Sequence, residues 1–158
     1  MIEKDIPAMN RSETAKALFL EGYNCTQSVA GAFADLLPLP FESVVSLSSS
    51  FGGGMGRMRE VCGAVSGMFL VAGFLYGYAD PKDHALKTEH YARIQALAAQ
   101  FREQFGSIVC RELLGTEGAD RSHVPSARTE AYYKKRPCAE LVAAAAQILS
   151  DYIAAHPF

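Results

Sequence analysis

Four cysteines, Cys25, Cys62, Cys110 and Cys138, are the residues of this chain whose type best suits chemistry. A thiolate is a soft ligand for iron, zinc or copper and a nucleophile for disulfide exchange. Successive cysteines are 37, 48 and 28 positions apart, so no C-x-x-C pair, zinc-finger spacing or ferredoxin spacing is present. Local pattern alone therefore also fits simple burial, because free cysteine is one of the most buried residue types. Position favours chemistry. Each cysteine falls where a helix is expected to begin, and basic residues recur nearby: Arg57 and Arg59, Arg111, and Lys134, Lys135 and Arg136. Helix N-termini and neighbouring cations both favour a thiolate over a thiol. Cys62 has the most electropositive setting in the sequence and is the expected nucleophile.

The stretch Phe51 to Gly77, FGGGMGRMREVCGAVSGMFLVAGFLYG, supplies the frame. Gly52, Gly53, Gly54 and Gly56 allow a sharp turn before Cys62, and a long uncharged helix follows. Gly63 and Gly67 lie one turn apart on that helix and admit close approach by another helix or a cofactor. Gly54, Gly56, Arg57, Gly63 and Gly67 are accordingly the candidate cofactor contacts. Around this frame the periodicity predicts a first helix from residue 11 to Gly22, with Asn10 and Glu13 at capping-box spacing. A second runs from an Asn24 cap to Leu37 before Pro38, and a short one follows Pro40. Asp80-Pro81 predicts the start of a long helix to Phe105, Ser107 caps a short helix over IVCRELLG, and Pro137 starts the last. Residues 116–136 read as a long loop with one helical turn at most.

The expected fold is all-α, a single-domain bundle of about six to seven helices over residues 1–158 with a buried glycine-rich central helix. In an up-and-down bundle, alternate helices start at the same end, which would gather Cys25, Cys62 and Cys110. The long loop before Cys138 is what could return the fourth cysteine to that end.

Composition narrows the function. A chain of 158 residues suits one domain, and a net charge of -2 gives no electrostatic case for nucleic acid. The N-terminal residues lack a basic segment followed by an apolar core, which implies a cytoplasmic protein, where structural disulfides are rare. Val61 to Ala79 is free of charge over 19 residues, but its glycines favour a buried core helix over a membrane span. The glycine loop lacks the Lys-Ser/Thr of a phosphate loop and the third glycine of a dinucleotide fingerprint. His84 and His90 are six apart, do not form a metal pair, and are expected to be exposed.

The order Cys25, CGAVSG at Cys62 to Gly67, Cys110 and Cys138, with GGGMGR upstream, resembles the C-GCAxxG-C-C family of redox-active proteins over nearly the whole chain. The resemblance implies a small, mostly helical bacterial or archaeal protein with a redox role carried by its cysteines, and it supplies no substrate. Three readings follow. In the first, all four cysteines are metal ligands of an iron–sulfur centre, [2Fe-2S], or another soft metal, and the protein passes electrons to an unknown redox partner. In the second they cycle between dithiol and disulfide without metal. In the third the chain is a metal-binding or structural module without turnover, whose glycine-faced helix serves as a packing surface or as the contact of a homodimer.

Overall fold

The computed structural model describes residues 10–158; the N-terminal segment on which the reading of no leader partly rests, residues 1–9, lies outside them. Helix α1 (Arg11–Leu20) begins where Asn10 accepts the Glu13 N–H, as its capping-box spacing predicts. Helix α2 (Cys25–Gly31) carries a reciprocal capping box between Asn24 and Gln27. It ends earlier than Pro38. The reason is Arg11, which takes the Ala32 carbonyl at 2.8 Å, pairs with Asp35 and lies over the Phe33 ring, so residues 34–36 tighten into a 3₁₀ turn.

Helix α3 (Phe41–Ser48) follows Pro40, and a 3₁₀ turn leads to the single turn α4 (Gly52–Met55), in which Gly53 and Gly54 are left-handed. Next come the central helix α5 (Gly63–Tyr76) and the long α6 (His84–Phe105). The α6 cap is Asp83, not Asp80: Asp83 accepts the Leu86 N–H at 3.0 Å, while Asp80 closes a turn onto the Lys82 N–H. Helix α7 (Cys110–Leu114) is short, residues 115–119 form a 3₁₀ turn, and α8 (Glu130–Lys135) occupies the end of the expected loop before α9 (Cys138–Ala155). The all-helical expectation holds: no strand forms among the described residues, only the isolated antiparallel bridge between Val61 and Val109.

The glycine-rich α5 is the centre of the bundle. Its residues 63–68, Val71 and Ala72 are buried, and it packs against α2, α9 and α6, while α1 lies across α9 and α2. Phe19, Phe33, Met68, Leu97, Phe101, Val142 and Leu149 fill the remaining core. Helical structure covers only 14 residues of the uncharged run, short of the roughly 20 that span a bilayer. Among the described residues one helix, Cys138–Ala155, is long and apolar enough to cross a membrane; Leu141, Val142, Ala145, Ala146, Ile148 and Leu149 bury its apolar face in the bundle.

His84 is exposed, but His90 is not. The chain after α5 brings Tyr78 edge-on to its ring, Arg93 bonds its Nδ1 at 2.9 Å, and burial together with the Arg93 charge lowers its pKa.

Candidate four-cysteine centre

All four cysteines stand at helix starts. Cys25, Cys110 and Cys138 are the first residues of α2, α7 and α9, and Cys62 is the N-cap of α5. Tertiary structure then gathers them. The Cys62 N–H donates to the Ile108 carbonyl at 2.8 Å and the Cys110 N–H to the Glu60 carbonyl at 2.6 Å, on either side of the Val61–Val109 bridge. Side chains alternate across an extended backbone, so Cys62 and Cys110 share the face opposite the two valines. Helix α2 brings Cys25 by pressing into the glycines of α5. A Cβ on Gly63 would lie 2.7 Å from Thr26 Oγ1 and 3.0 Å from Cys25 Cβ; one on Gly67 would lie 2.8 Å from Val29 Cβ. These two glycines therefore admit a helix, which is one of the two uses their spacing allows. The 3₁₀ turn, residues 120–129 and α8 lead the chain back to Cys138.

The thiols feel one another, and Cys25 is the hub. Cys138 lies close enough to Cys25 for each to shift the other's titration, and Cys25 acts electrostatically on Cys62, Cys110 and Cys138. All four are free. The Cys138 thiol, the Gly53 amide and the Arg128 charge together outweigh burial and bring Cys25 down from 9.0 to about 7. Cys62 goes the other way. Burial and the nearby Cys25 charge raise its pKa strongly, despite the amides of Ala64 and Val65, so thiolate is favoured at Cys25 rather than at Cys62, where the sequence led us to expect it. Cys138 is raised by its nearness to Cys25 and by burial, and burial raises Cys110 against the pull of Arg59.

A direct consequence is selective modification. In metal-free, reduced protein Cys25, the one partly exposed cysteine, reacts first with iodoacetamide. Its rate rises as pH increases through about 7 and levels above it, whereas the other three react only when the protein unfolds. Peptide mass mapping after timed alkylation checks this.

The expected cofactor contacts divide differently from their reading in the sequence. Arg57 is turned away from the sulfurs. It donates to the carbonyls of Ser122, at 2.8 Å, and Val124, and to Ser126 Oγ, and it pairs with Asp120 at 3.2 Å. It is a clamp on residues 120–126. Removing it as Arg57→Ala should speed limited tryptic cleavage after Arg121 severalfold, with the helices left intact; peptide mapping against time reads this. Gly56 takes a left-handed turn with nothing closer than Ser50 O to a built Cβ, at 3.9 Å, and so it shapes the loop only. Gly54 is pressed against Cys110: its built Cβ would lie 2.6 Å from Cys110 Cβ.

Arg59 is the arginine that enters the site. The loop around it is strained, with Met55, Arg57 and Arg59 at positive φ beside Gly53, Gly54 and Gly56. Left-handed backbone costs a non-glycine residue about 1–2 kcal/mol. Bonds from the Arg57, Arg59 and Glu60 amides back to Gly52, Gly53 and Gly54 hold it in place. The result aims a guanidinium, 1 % exposed, inward: Nε donates to the Asp120 carbonyl at 2.9 Å and Nη1 lies 3.9 Å from Cys110 Sγ. Its Nη2 is buried without a partner, and so is Thr26 Oγ1 beside Cys25.

Two further arginines border the sulfurs. Arg128 bonds the Phe19 and Tyr23 carbonyls at 2.8 and 2.9 Å and lies 4.2 Å over the Phe19 ring; Arg136 bonds Ser126 and Glu117 and faces Tyr132. Thr26, Arg128 and Tyr132 carry no motif that marks them in the sequence. Arg136 was visible only as part of a basic run, and Lys134 and Lys135 of that run are exposed. Among the described residues no three His, Cys, Asp or Glu side chains are grouped closely enough to hold one metal ion.

Fold and site together define a class: an all-helical protein with four free thiols at helix starts and a buried arginine beside one of them, Cys110. Residues 23–152 match the family model described as "Putative redox-active protein (C_GCAxxG_C_C)", and the chain belongs to that family. No curated protein and no solved structure matches it.

Proposed function

We propose that the protein is a one-electron carrier in which Cys25, Cys62, Cys110 and Cys138 hold an iron–sulfur centre of the two-iron type. The observation that carries this reading is the pair of orphaned polar atoms, Arg59 Nη2 on the guanidinium that faces Cys110 and Thr26 Oγ1 beside Cys25. Unpaired donors are costly in a dry interior, and a sulfur-rich anionic group is what would satisfy them. A mononuclear centre asks all its sulfurs to lie about 2.3 Å from one metal, which the absence of any close trio disfavours. A two-iron centre takes its thiolates as two pairs. The nearness of Cys138 to Cys25 and the Cys62 and Cys110 positions beside one bridge fit two pairs.

When bound, such a centre supplies reversible one-electron transfer. The chain's own residues do the rest. Burial of Cys62, Cys110 and Cys138 keeps water from the sulfurs, Arg59 offsets negative charge, and Gly54, Gly63 and Gly67 let the cysteine-bearing segments close. Cys25, partly exposed, is the edge a redox partner would approach, and a reducing compartment such as the cytoplasm suits four free thiols. Anaerobic reconstitution with ferrous iron and sulfide should give visible absorption that dithionite bleaches and ferricyanide restores. A colourless protein after reconstitution would refute the reading.

A second reading rests on the nearness of Cys138 to Cys25 and the lowered Cys25 pKa. Cys25 thiolate attacks a disulfide of a substrate, and Cys138 then displaces the mixed disulfide, leaving Cys25–Cys138 oxidised and the substrate reduced. Diamide oxidation of the metal-free protein would then yield that one disulfide by mass mapping.

A further inference from the structure

Arg59 is a buried cation with no carboxylate of its own. It is 1 % exposed and makes no ion pair among the described residues; Asp120 gives its carboxylate to Arg57 at 3.2 Å and its backbone carbonyl to Arg59 Nε. An uncompensated charge in a protein interior is costly, far more than the bond to one carbonyl recovers. The Arg59 N–H also donates to the Gly53 carbonyl, and the Arg59 carbonyl accepts the Arg111 N–H and Arg111 Nη1. The residue is thus tied at its backbone and at Nε, while Nη1 faces Cys110 Sγ and Nη2 has no partner. A left-handed φ of 63° at a non-glycine residue would be avoidable strain if a surface arginine sufficed. The strain serves one purpose that the geometry makes visible: it turns this guanidinium toward the Cys110 sulfur.

Resting on the electron-carrier reading, we propose that Arg59 is the counter-charge of the four-cysteine centre and sets its reduction potential by donating Nη2–H to it. Adding one electron makes the centre more negative by one charge. A fixed guanidinium beside it stabilises the reduced form more than the oxidised form, so Arg59 raises the potential. Arg57 cannot share this task, because its guanidinium is bound to residues 120–126.

The test compares reconstituted wild type with Arg59→Met, Arg59→Gln and Arg59→Lys, in anaerobic titrations with dithionite and mediator dyes. Removing the charge should shift the ratio of oxidised to reduced protein at least tenfold at a fixed potential, a fall of about 59 mV for a one-electron couple. Arg59→Lys should recover most of that shift although it loses the planar fork. Thermal unfolding of the same proteins separates a packing role: Tm falls in Met and Lys alike, whereas the potential follows charge. Should Arg59→Met fail to fold, Arg59→Gln carries the comparison. Folded, iron-loaded Met or Gln variants with less than a twofold change would overturn the assignment and leave the electron-carrier reading standing. A wild-type protein that takes up no iron and sulfide would overturn both.

Discussion

Alanine at Gly54 should destabilise the protein by roughly 3 kcal/mol, one of the largest effects available from adding a single methyl group here. Two costs combine. Gly54 has φ 72°, where a side chain adds about 1 kcal/mol or more of strain. The added Cβ would also lie 2.6 Å from Cys110 Cβ, 2.7 Å from the Glu60 amide nitrogen and 2.9 Å from Arg59 Cα. Two of those three atoms are backbone and cannot swing aside, so relief requires the Arg59 loop or the Val61–Val109 bridge to move. For a chain of this size 3 kcal/mol corresponds to a fall in Tm of roughly 6–12 °C. Gly106→Ala is the control: its φ is 83° with nothing within 4 Å of a built Cβ, so only the strain of about 1 kcal/mol applies. Thermal melts of both variants separate contact from backbone strain, and equal losses would show that the Gly54 backbone is not wedged against Cys110.

Cys25→Ala should empty the centre, lowering bound iron and sulfide at least tenfold after reconstitution, while Tm changes little. Cys25 is the hub of the thiol interactions, so no other cysteine can take over its position. It is also partly exposed, so its removal opens no large cavity. The same variant should lose the fast phase of alkylation in metal-free protein. Iron retained at wild-type level would place the ligand set elsewhere. Loss of Cys138 should give the same emptying with one added sign. Without the Cys138 thiol nearby the Cys25 pKa rises toward 9.0, so its alkylation profile moves to higher pH.

Much of the helical plan is legible because it is written locally. Asn10, Asn24, Pro40 and Pro137 stand at helix starts, and each acts within a few residues of itself. The placement of all four cysteines at helix starts is legible for the same reason. What sequence reasoning misassigned is set across the fold. Helix α2 stops at Gly31 because Arg11, on another helix, takes the Ala32 carbonyl. The charge state of the cysteines follows the same rule. Cys62 has arginines close in sequence, yet burial dominates there. Cys25 has no cation beside it in sequence, but receives the Gly53 amide, the Cys138 thiol and the field of Arg128.

The exchange of roles between Arg57 and Arg59 has a different origin. Both lie in one short basic stretch, and which one points inward depends on positive φ at Met55, Arg57 and Arg59. No local propensity predicts left-handed backbone at three non-glycine positions, so the assignment needs the folded loop. The glycines of α5 were legible as a site of close approach, and the structure identifies what approaches as helix α2.

The proposed iron–sulfur centre on Cys25, Cys62, Cys110 and Cys138 has a chemical signature of its own. Iron, acid-labile sulfide and zinc analysis of protein purified without oxygen tests it most directly. The expected result is iron and sulfide in equal amounts, little zinc, and visible absorption that disappears in Cys25→Ala. Protein free of iron and sulfide, or loaded with zinc in their place, would contradict it.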